Sequence, residues 1–375
     1  MNINLTKLKN KILILLILIN VLQLSLLTER FPENLFLRIS YGLVFFEFAI
    51  IGIEIIKKKN FNIKKILLFL LFLFLIVFNI FYHSNGWVYI FSYLFIAMNI
   101  SPKSISYDYF LGLSLGFFFS FVLSIFSIIP IVQYKNITFG FSNQNTTGYF
   151  LFIILISWLI IKKTRIGLKE LLLSVFFILV EFFIFDDSTA CVVFIIFLFL
   201  FILNNNNNRL SDSHILHMFI ISLPFLLLII SLILATGFSN SKFSQLNSLL
   251  SNRLYNWSHY LTYYNFHLYP QNIDTIEVNS TIYGLPANVL AFDNAYLFYL
   301  LYLGTIQFIL ILLMISLAIK KTLKNHFYIQ TFFIVVLLVF GFTENIAFTV
   351  QVSPLLPLSI SILNYNREEN YAFKL

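Results

Sequence analysis

An all-α, polytopic membrane fold is predicted for this chain, and three observations predict it. Apolar residues make up 59% of the sequence and charged residues only 11%, whereas soluble domains carry about 25% charged residues. Apolar runs of about 17–25 residues, the length needed to cross a bilayer as a helix, recur along the chain. The basic residues fall mostly into alternate connecting segments, which is the pattern of a chain threaded back and forth through a membrane. Together they exclude a mainly soluble protein and make residues 1–375 a single transmembrane domain.

About twelve spans are expected, at 12–27, 35–56, 66–82, 87–100, 109–132, 146–161, 171–185, 188–203, 215–235, 294–319, 327–349 and 352–363. The first follows Lys7, Lys9 and Lys11, as a signal peptide would. It is followed by Thr28-Glu-Arg-Phe-Pro32 rather than a small-residue cleavage site, so it reads as a retained span. With the N-terminus in the cytoplasm, 19 of the 24 basic residues lie inside. Only Arg30, Arg38, Lys135, Lys242 and Arg253 lie outside. This bias accounts for the net charge of +8 without a nucleic-acid partner. It also places both termini in the cytoplasm and the longest polar segment, 236–292, outside as one large extracytoplasmic loop. There is no Gly-rich phosphate loop, so coupling to ATP on this chain is not expected. A single cysteine, Cys191, excludes an internal disulfide and a cysteine metal cluster. No cofactor and no metal are expected.

Within the outer loop, Leu250, Leu254, Trp257, Leu261, Tyr264 and Leu268 are spaced as an apolar helical stripe. Arg253, Asn256, Tyr260, Tyr263 and His267 repeat that spacing on the neighbouring face. The pattern predicts a helix over 248–269, capped by Asn247 or Ser248 and stopped by Pro270. Two readings stand. One is an amphipathic helix lying in the membrane interface. The other is a lid over an outer cavity, with Arg253 binding phosphate and the aromatic rings stacking on sugars.

The loop re-enters apolar sequence through Gly284, Pro286, Asp293 and Asn294. Asp293 and Asn294 stand where span ten begins, suited both to capping and to a functional role. Asn143, Gln144, Asn145, Thr146 and Thr147 form a polar group at the outer mouth, either a turn and cap or a rim that recognises hydroxyls. Asp186 and Asp187 read as a turn. Glu344, Arg38, Glu47 and Glu54 stand within or beside spans. A charge at membrane depth costs at least about 2.5–3.5 kcal/mol, so each should face a cavity or a partner.

These segments resemble the O-antigen and capsular polysaccharide polymerases (Wzy type) and the related O-antigen ligases. Gly140-Phe-Ser-Asn-Gln-Asn-Thr-Thr-Gly148 is similar to their outer Asn-Gln-Asn motif. Arg253 with Trp257 looks like the Arg-x-x-x-Trp of their large loop, and Asp293-Asn-Ala-Tyr-Leu297 like the segment that closes it. The family's Ser-Arg-Thr motif has no counterpart; Asp187-Ser-Thr-Ala190 stands there without an arginine, and Arg38 or Arg30 would have to replace it. The resemblance implies a glycosyltransferase of the bacterial cytoplasmic membrane. It would transfer a glycan from undecaprenyl pyrophosphate onto the next lipid-linked repeat unit, in company with a flippase and a chain-length regulator. For that reaction the expected catalytic residues are Arg253, to stabilise the departing pyrophosphate, and Asp293, as general base, with Glu344 or His267 as the alternative base. Asn143, Asn145, Asn256, Tyr260, Tyr263, His267, Asn294 and Arg38 are the substrate contacts expected around them. The alternatives are a ligase-type transferase and a flippase for the same lipid-linked oligosaccharide.

Overall fold

A computed structural model describes residues 5–32, 34–57, 70, 85–133, 136–162, 167–185, 187–206, 213–238, 243–278 and 288–365. The expected span at 66–82, and Gly284 and Pro286, lie outside them. Helices dominate. The first eight are α1 (Leu5–Gln23), α2 (Leu35–Lys57), α3 (Asn85–Met98), α4 (Pro102–Ile125), α5 (Gln144–Lys162), α6 (Leu168–Val180), α7 (Ser188–Asn206) and α8 (His214–Gly237). They are followed by α9 (Ser244–Leu249), α10 (Arg253–Tyr263), α11 (Ala295–Leu303), α12 (Thr305–Lys324), α13 (Tyr328–Phe340) and α14 (Leu355–Asn364). Strand structure among the described residues amounts to two antiparallel two-residue pairs, Val132–Gln133 with Asn136–Ile137 and Glu277–Val278 with Asn288–Val289.

Five helices are long and apolar enough to cross a membrane: Leu35–Ile53, Pro102–Ile125, Gln144–Ile161, His214–Gly237 and Thr305–Lys324. Four shorter apolar helices accompany them, so the described residues bear out the all-α membrane class but not a full set of twelve spans. Two expected boundaries change. Span ten breaks at Gly304, whose φ of 77° is left-handed, and α12 alone has the length and composition to cross. A Cβ at Gly304 would lie 2.5 Å from the backbone carbonyl oxygen of Tyr269, because the segment that follows α10 crosses the chain here. Span eleven stops as a helix at Phe340 and continues as a turn and a 3-10 segment, Asn345–Phe348.

Lipid tails are as apolar as leucine, so close backbone approach and polar contacts decide which helices pair. Gly112 and Gly116 lie one turn apart on α4 and admit α1. A Cβ on Gly112 would stand 2.7 Å from Ile17 Cβ and 2.9 Å from the carbonyl oxygen of Ile14. Gly112→Ala gains about 1 kcal/mol of helix propensity. The overlap with a backbone atom outweighs this, because overpacking costs about 1–3 kcal/mol and a main-chain oxygen cannot rotate away. We expect Gly112→Ala to lower the melting temperature in detergent, whereas Gly42→Ala, with nothing within 4 Å of its added methyl, should not.

A polar seam runs beside this contact. Ser40 Oγ donates to Asn20 Oδ1 at 3.0 Å, and Asn20 Nδ2 donates to the Tyr93 hydroxyl. Glu47 and Asp108 are buried at 0% and 1% exposure, with no hydrogen-bond partner at any carboxylate oxygen. Lys9 is buried near Glu47 and donates to Asn99 O at 3.3 Å.

The two ends of the bundle differ. At one end the start of α1 meets the ends of α3, α12 and α14. Lys321 Nζ donates to Leu363 O at 3.0 Å and Tyr365 O at 2.7 Å, and Ser361 Oγ donates to Ile100 O at 2.6 Å. At the other end Leu26 N donates to Gly140 O at 2.8 Å. The polar residues of the candidate site gather there.

Candidate functional site

The expected helix over 248–269 is two helices, α9 and α10. Ser251 and Asn252 separate them with φ of 52° and 65°, a conformation asparagine tolerates through its short polar side chain. Asn247 does assist this start, one turn earlier than a cap would sit. Its Oδ1 accepts from Tyr255 N at 3.1 Å and its Nδ2 donates to Asn252 Oδ1 at 3.0 Å. The helix ends at Tyr263, well before Pro270.

Leu254, Trp257 and Tyr260 are 0–2% exposed and pack on Ala235, Phe292, Leu297 and Leu301. The apolar stripe of α10 therefore faces protein, which overturns the interfacial-helix reading and leaves that of a cover. Trp257 stands edge-on to Phe342 at 5.6 Å. Tyr260 stacks on Phe292 at 4.1 Å, and its hydroxyl donates to Leu290 O at 2.9 Å.

This packing delivers Arg253, at the start of α10, to the turn that follows α13. Arg253 Nη1 donates to Thr343 O at 2.6 Å and Nη2 to Glu344 Oε1 at 2.5 Å. Its Nε lies 3.7 Å from Asp293 Oδ2. A guanidinium has five N–H groups, so these two hydrogen bonds leave others unspent. Asn145, at the start of α5, donates from Nδ2 to the same Glu344 oxygen at 2.9 Å. Four residues from four distant parts of the chain thus meet. A cavity of about 200 Å³ opens beside them, walled by Asn143, Asn145, Thr146, Asp293, Glu344 and Thr349 among others. Arg253 is not in that wall; it reaches it through its two carboxylate partners.

The two carboxylates are not equivalent. Glu344 is 9% exposed and holds the short contact with Arg253, whereas Asp293 is 26% exposed with only the long one. Burial pushes both carboxyls above their usual range, and the Arg253 charge offsets this in part. Asp293 raises Glu344 further, because one guanidinium cannot fully compensate two buried negative charges. Protons therefore leave this group at higher pH than from isolated carboxyls.

Other expected site residues fall elsewhere. Asn294 is 0% exposed and fully committed to structure: its Oδ1 caps α11 at Leu297 N, and its Nδ2 donates to Ser231 Oγ and Phe342 O at 2.9 and 2.8 Å. It positions Asp293 rather than meeting a ligand. Asn143 accepts from Thr146 N at 2.7 Å, the cap geometry, while also lining the cavity. Asn256 donates to Ala291 O at 3.2 Å and steadies the strand of chain leading to Asp293. Tyr260 is spent in packing. Tyr263, the last residue of α10, is 71% exposed, and His267, beyond the helix, is exposed with its carbonyl accepting from Thr305 N; neither lines the cavity. Arg38 is exposed on α2 and, like Arg30, does not line the cavity.

One group was not expected. α6 continues as a π-helical turn, Glu181–Phe185, and π-helical turns are common at functional sites. It carries Glu181 inward, where it is 0% exposed. Asp187, expected only as part of a turn, caps α7, its Oδ1 accepting from Ala190 N at 3.0 Å, and it also lies within electrostatic range of Glu181 and Glu344. A lone glutamate inside the apolar run 171–185 was the signal for it, by the rule already applied to Glu344. Among known proteins, no family model, no curated protein and no solved structure matches this chain.

Proposed function

We propose that this protein is a membrane-embedded glycosyltransferase of the polysaccharide polymerase type. It transfers a glycan from a polyprenyl pyrophosphate to a sugar hydroxyl of the next lipid-linked unit, at the outer leaflet of the bacterial cytoplasmic membrane. The observation that carries this reading is the meeting of Arg253, Asp293, Glu344 and Asn145 beside a polar cavity, at the end of the bundle away from Lys9 and Lys321. Carboxylates and amides accept and donate to sugar hydroxyls. Asp293 takes the proton of the attacking hydroxyl as general base. The unspent N–H groups of Arg253 stabilise charge as the pyrophosphate departs. Asn143 and Asn145 orient the acceptor. The short basic segments lie in the cytoplasm with both termini, and the segment carrying α9 and α10 lies outside. Partners are the lipid-linked oligosaccharide, membrane lipid, a flippase and a chain-length regulator.

A transporter reading has its own support in Glu47, Asp108 and Lys9, buried together within the bundle as ionisable residues of ion pathways are. Surface glycan from a strain lacking this protein separates the two. Loss of a polymerase leaves single repeat units at the surface, the result we expect. Loss of a flippase leaves none outside, and glycan of normal length would exclude both.

A further inference from the structure

Glu181, Asp187, Glu344 and Asp293 follow one another within electrostatic range, and Arg253 forms ion pairs with Asp293 and Glu344. Arg253 already serves two of them. Glu181 and Asp187 come from different elements, the π-helical turn and the start of α7, yet converge on one place. A Cβ built on Gly148 would lie 2.5 Å from Asp187 Oδ2 and 2.7 Å from Glu181 Oε2. Two carboxylate oxygens thus point into the space that the glycine leaves open. Neither oxygen of Glu181 has a hydrogen-bond partner, although the residue is completely buried. A buried carboxylate without a partner is costly unless a positive charge joins it.

We infer that Glu181 and Asp187 bind a divalent cation against Gly148. No group of three or more His, Cys, Asp or Glu side chains is placed to hold a metal among the described residues, so a cage made wholly of protein is not the arrangement. Two carboxylates are what Mg²⁺ ordinarily takes, keeping its remaining positions for water and for phosphate oxygens of a ligand. Gly148 stands three residues along α5 from Asn145, which lines the cavity, so a phosphate in that cavity is within one helical turn of the ion. This departs from the sequence-based expectation of no metal. It also supplies the second positive centre that the missing Ser-Arg-Thr arginine, and the distant Arg30 and Arg38, do not. The role beside a pyrophosphate rests on the transferase reading; the binding site itself does not.

The test therefore uses no substrate. Mn²⁺ is titrated into the purified full-length chain in nanodiscs and followed by electron paramagnetic resonance, with Mg²⁺ as competitor. We expect saturable binding of one Mn²⁺ per chain, displaced by Mg²⁺. Binding should be lost in Glu181→Gln and in Asp187→Asn, which keeps an oxygen to cap α7. Gly148→Ala should abolish it with both carboxylates present, because the methyl group takes the ion's place. Retention of the wild-type melting profile in Glu181→Gln shows that its loss of binding is local. Absence of saturable Mn²⁺ binding in the wild type overturns the proposal and means that protons neutralise the pair. Binding that survives both carboxylate variants overturns it equally. Elongation of glycan without bound Mn²⁺ or Mg²⁺ would end the catalytic role and leave the transferase reading standing.

Discussion

Arg253→Ala is expected to destabilise the protein by about 3–5 kcal/mol, the usual consequence of removing one partner from a buried ion pair. Glu344 would keep only Asn145 at its Oε1, and Asp293 would lose its nearest counter-charge. The Thr343 carbonyl would lose its guanidinium donor as well. Adding Glu344→Gln removes the stranded charge, so the double variant should recover most of the lost stability. Thermal or denaturant unfolding in detergent measures both. Activity should not return with stability, because the group that stabilises the leaving pyrophosphate is still missing. If the single variant is as stable as the wild type, the ion pair described here does not form in the membrane. If the double variant regains transfer, Arg253 is structural only.

Asp293→Asn should reduce the rate of transfer by about 10²–10⁴-fold, the range typical of a lost general base. Its neighbour Asn294, not Asp293, caps α11, so the substitution leaves the helix start intact. Stability should change little or rise, since one of two negative charges sharing Arg253 is removed. The pH profile adds a readout that a structural role would not move. Burial raises the Asp293 carboxyl above its ordinary range, so the basic form appears only as pH rises through that raised value. The wild-type rate should climb along a limb above the usual carboxylate range, and Asp293→Asn should lack that limb. The same shift has the opposite sign for stability. A carboxyl held protonated by the fold favours folding at low pH, and that contribution is lost as pH rises through the folded-state value. A flat profile for both proteins, with near-normal rate in the variant, would remove Asp293 from the chemistry.

The sequence carried the helices and much of the site, and the reasons for both are local. Hydropathy and length found α2, α4, α5, α8 and α12 because each must satisfy its own backbone in lipid. Arg253, Asp293, Glu344 and Asn145 were legible as polar residues at outer boundaries. Their convergence was not, because it depends on α10 folding back over α8 and α11. The breaks at Gly304 and at Ser251–Asn252 depend on what crosses the chain there, so neither shows in periodicity. Tyr263 and His267 follow the spacing of Arg253, but a spacing extends only as far as the helix, and this one stops at Tyr263. Glu181 was legible in principle and passed over amid an apolar run. The seam of Glu47, Asp108 and Lys9 could be read only in part, since Glu47 alone stood out against a long span.

The central claim is that the cavity beside Arg253 receives a lipid-linked pyrophosphate, and direct binding tests it. Radiolabelled undecaprenyl pyrophosphate is titrated against the purified chain in nanodiscs, alongside Arg253→Lys. Lysine keeps the charge but presents a compact point charge in place of the planar fork. The account predicts saturable binding by the wild type and clear weakening in Arg253→Lys with an unchanged melting profile. Equal binding by the two proteins, or none by the wild type, would contradict it.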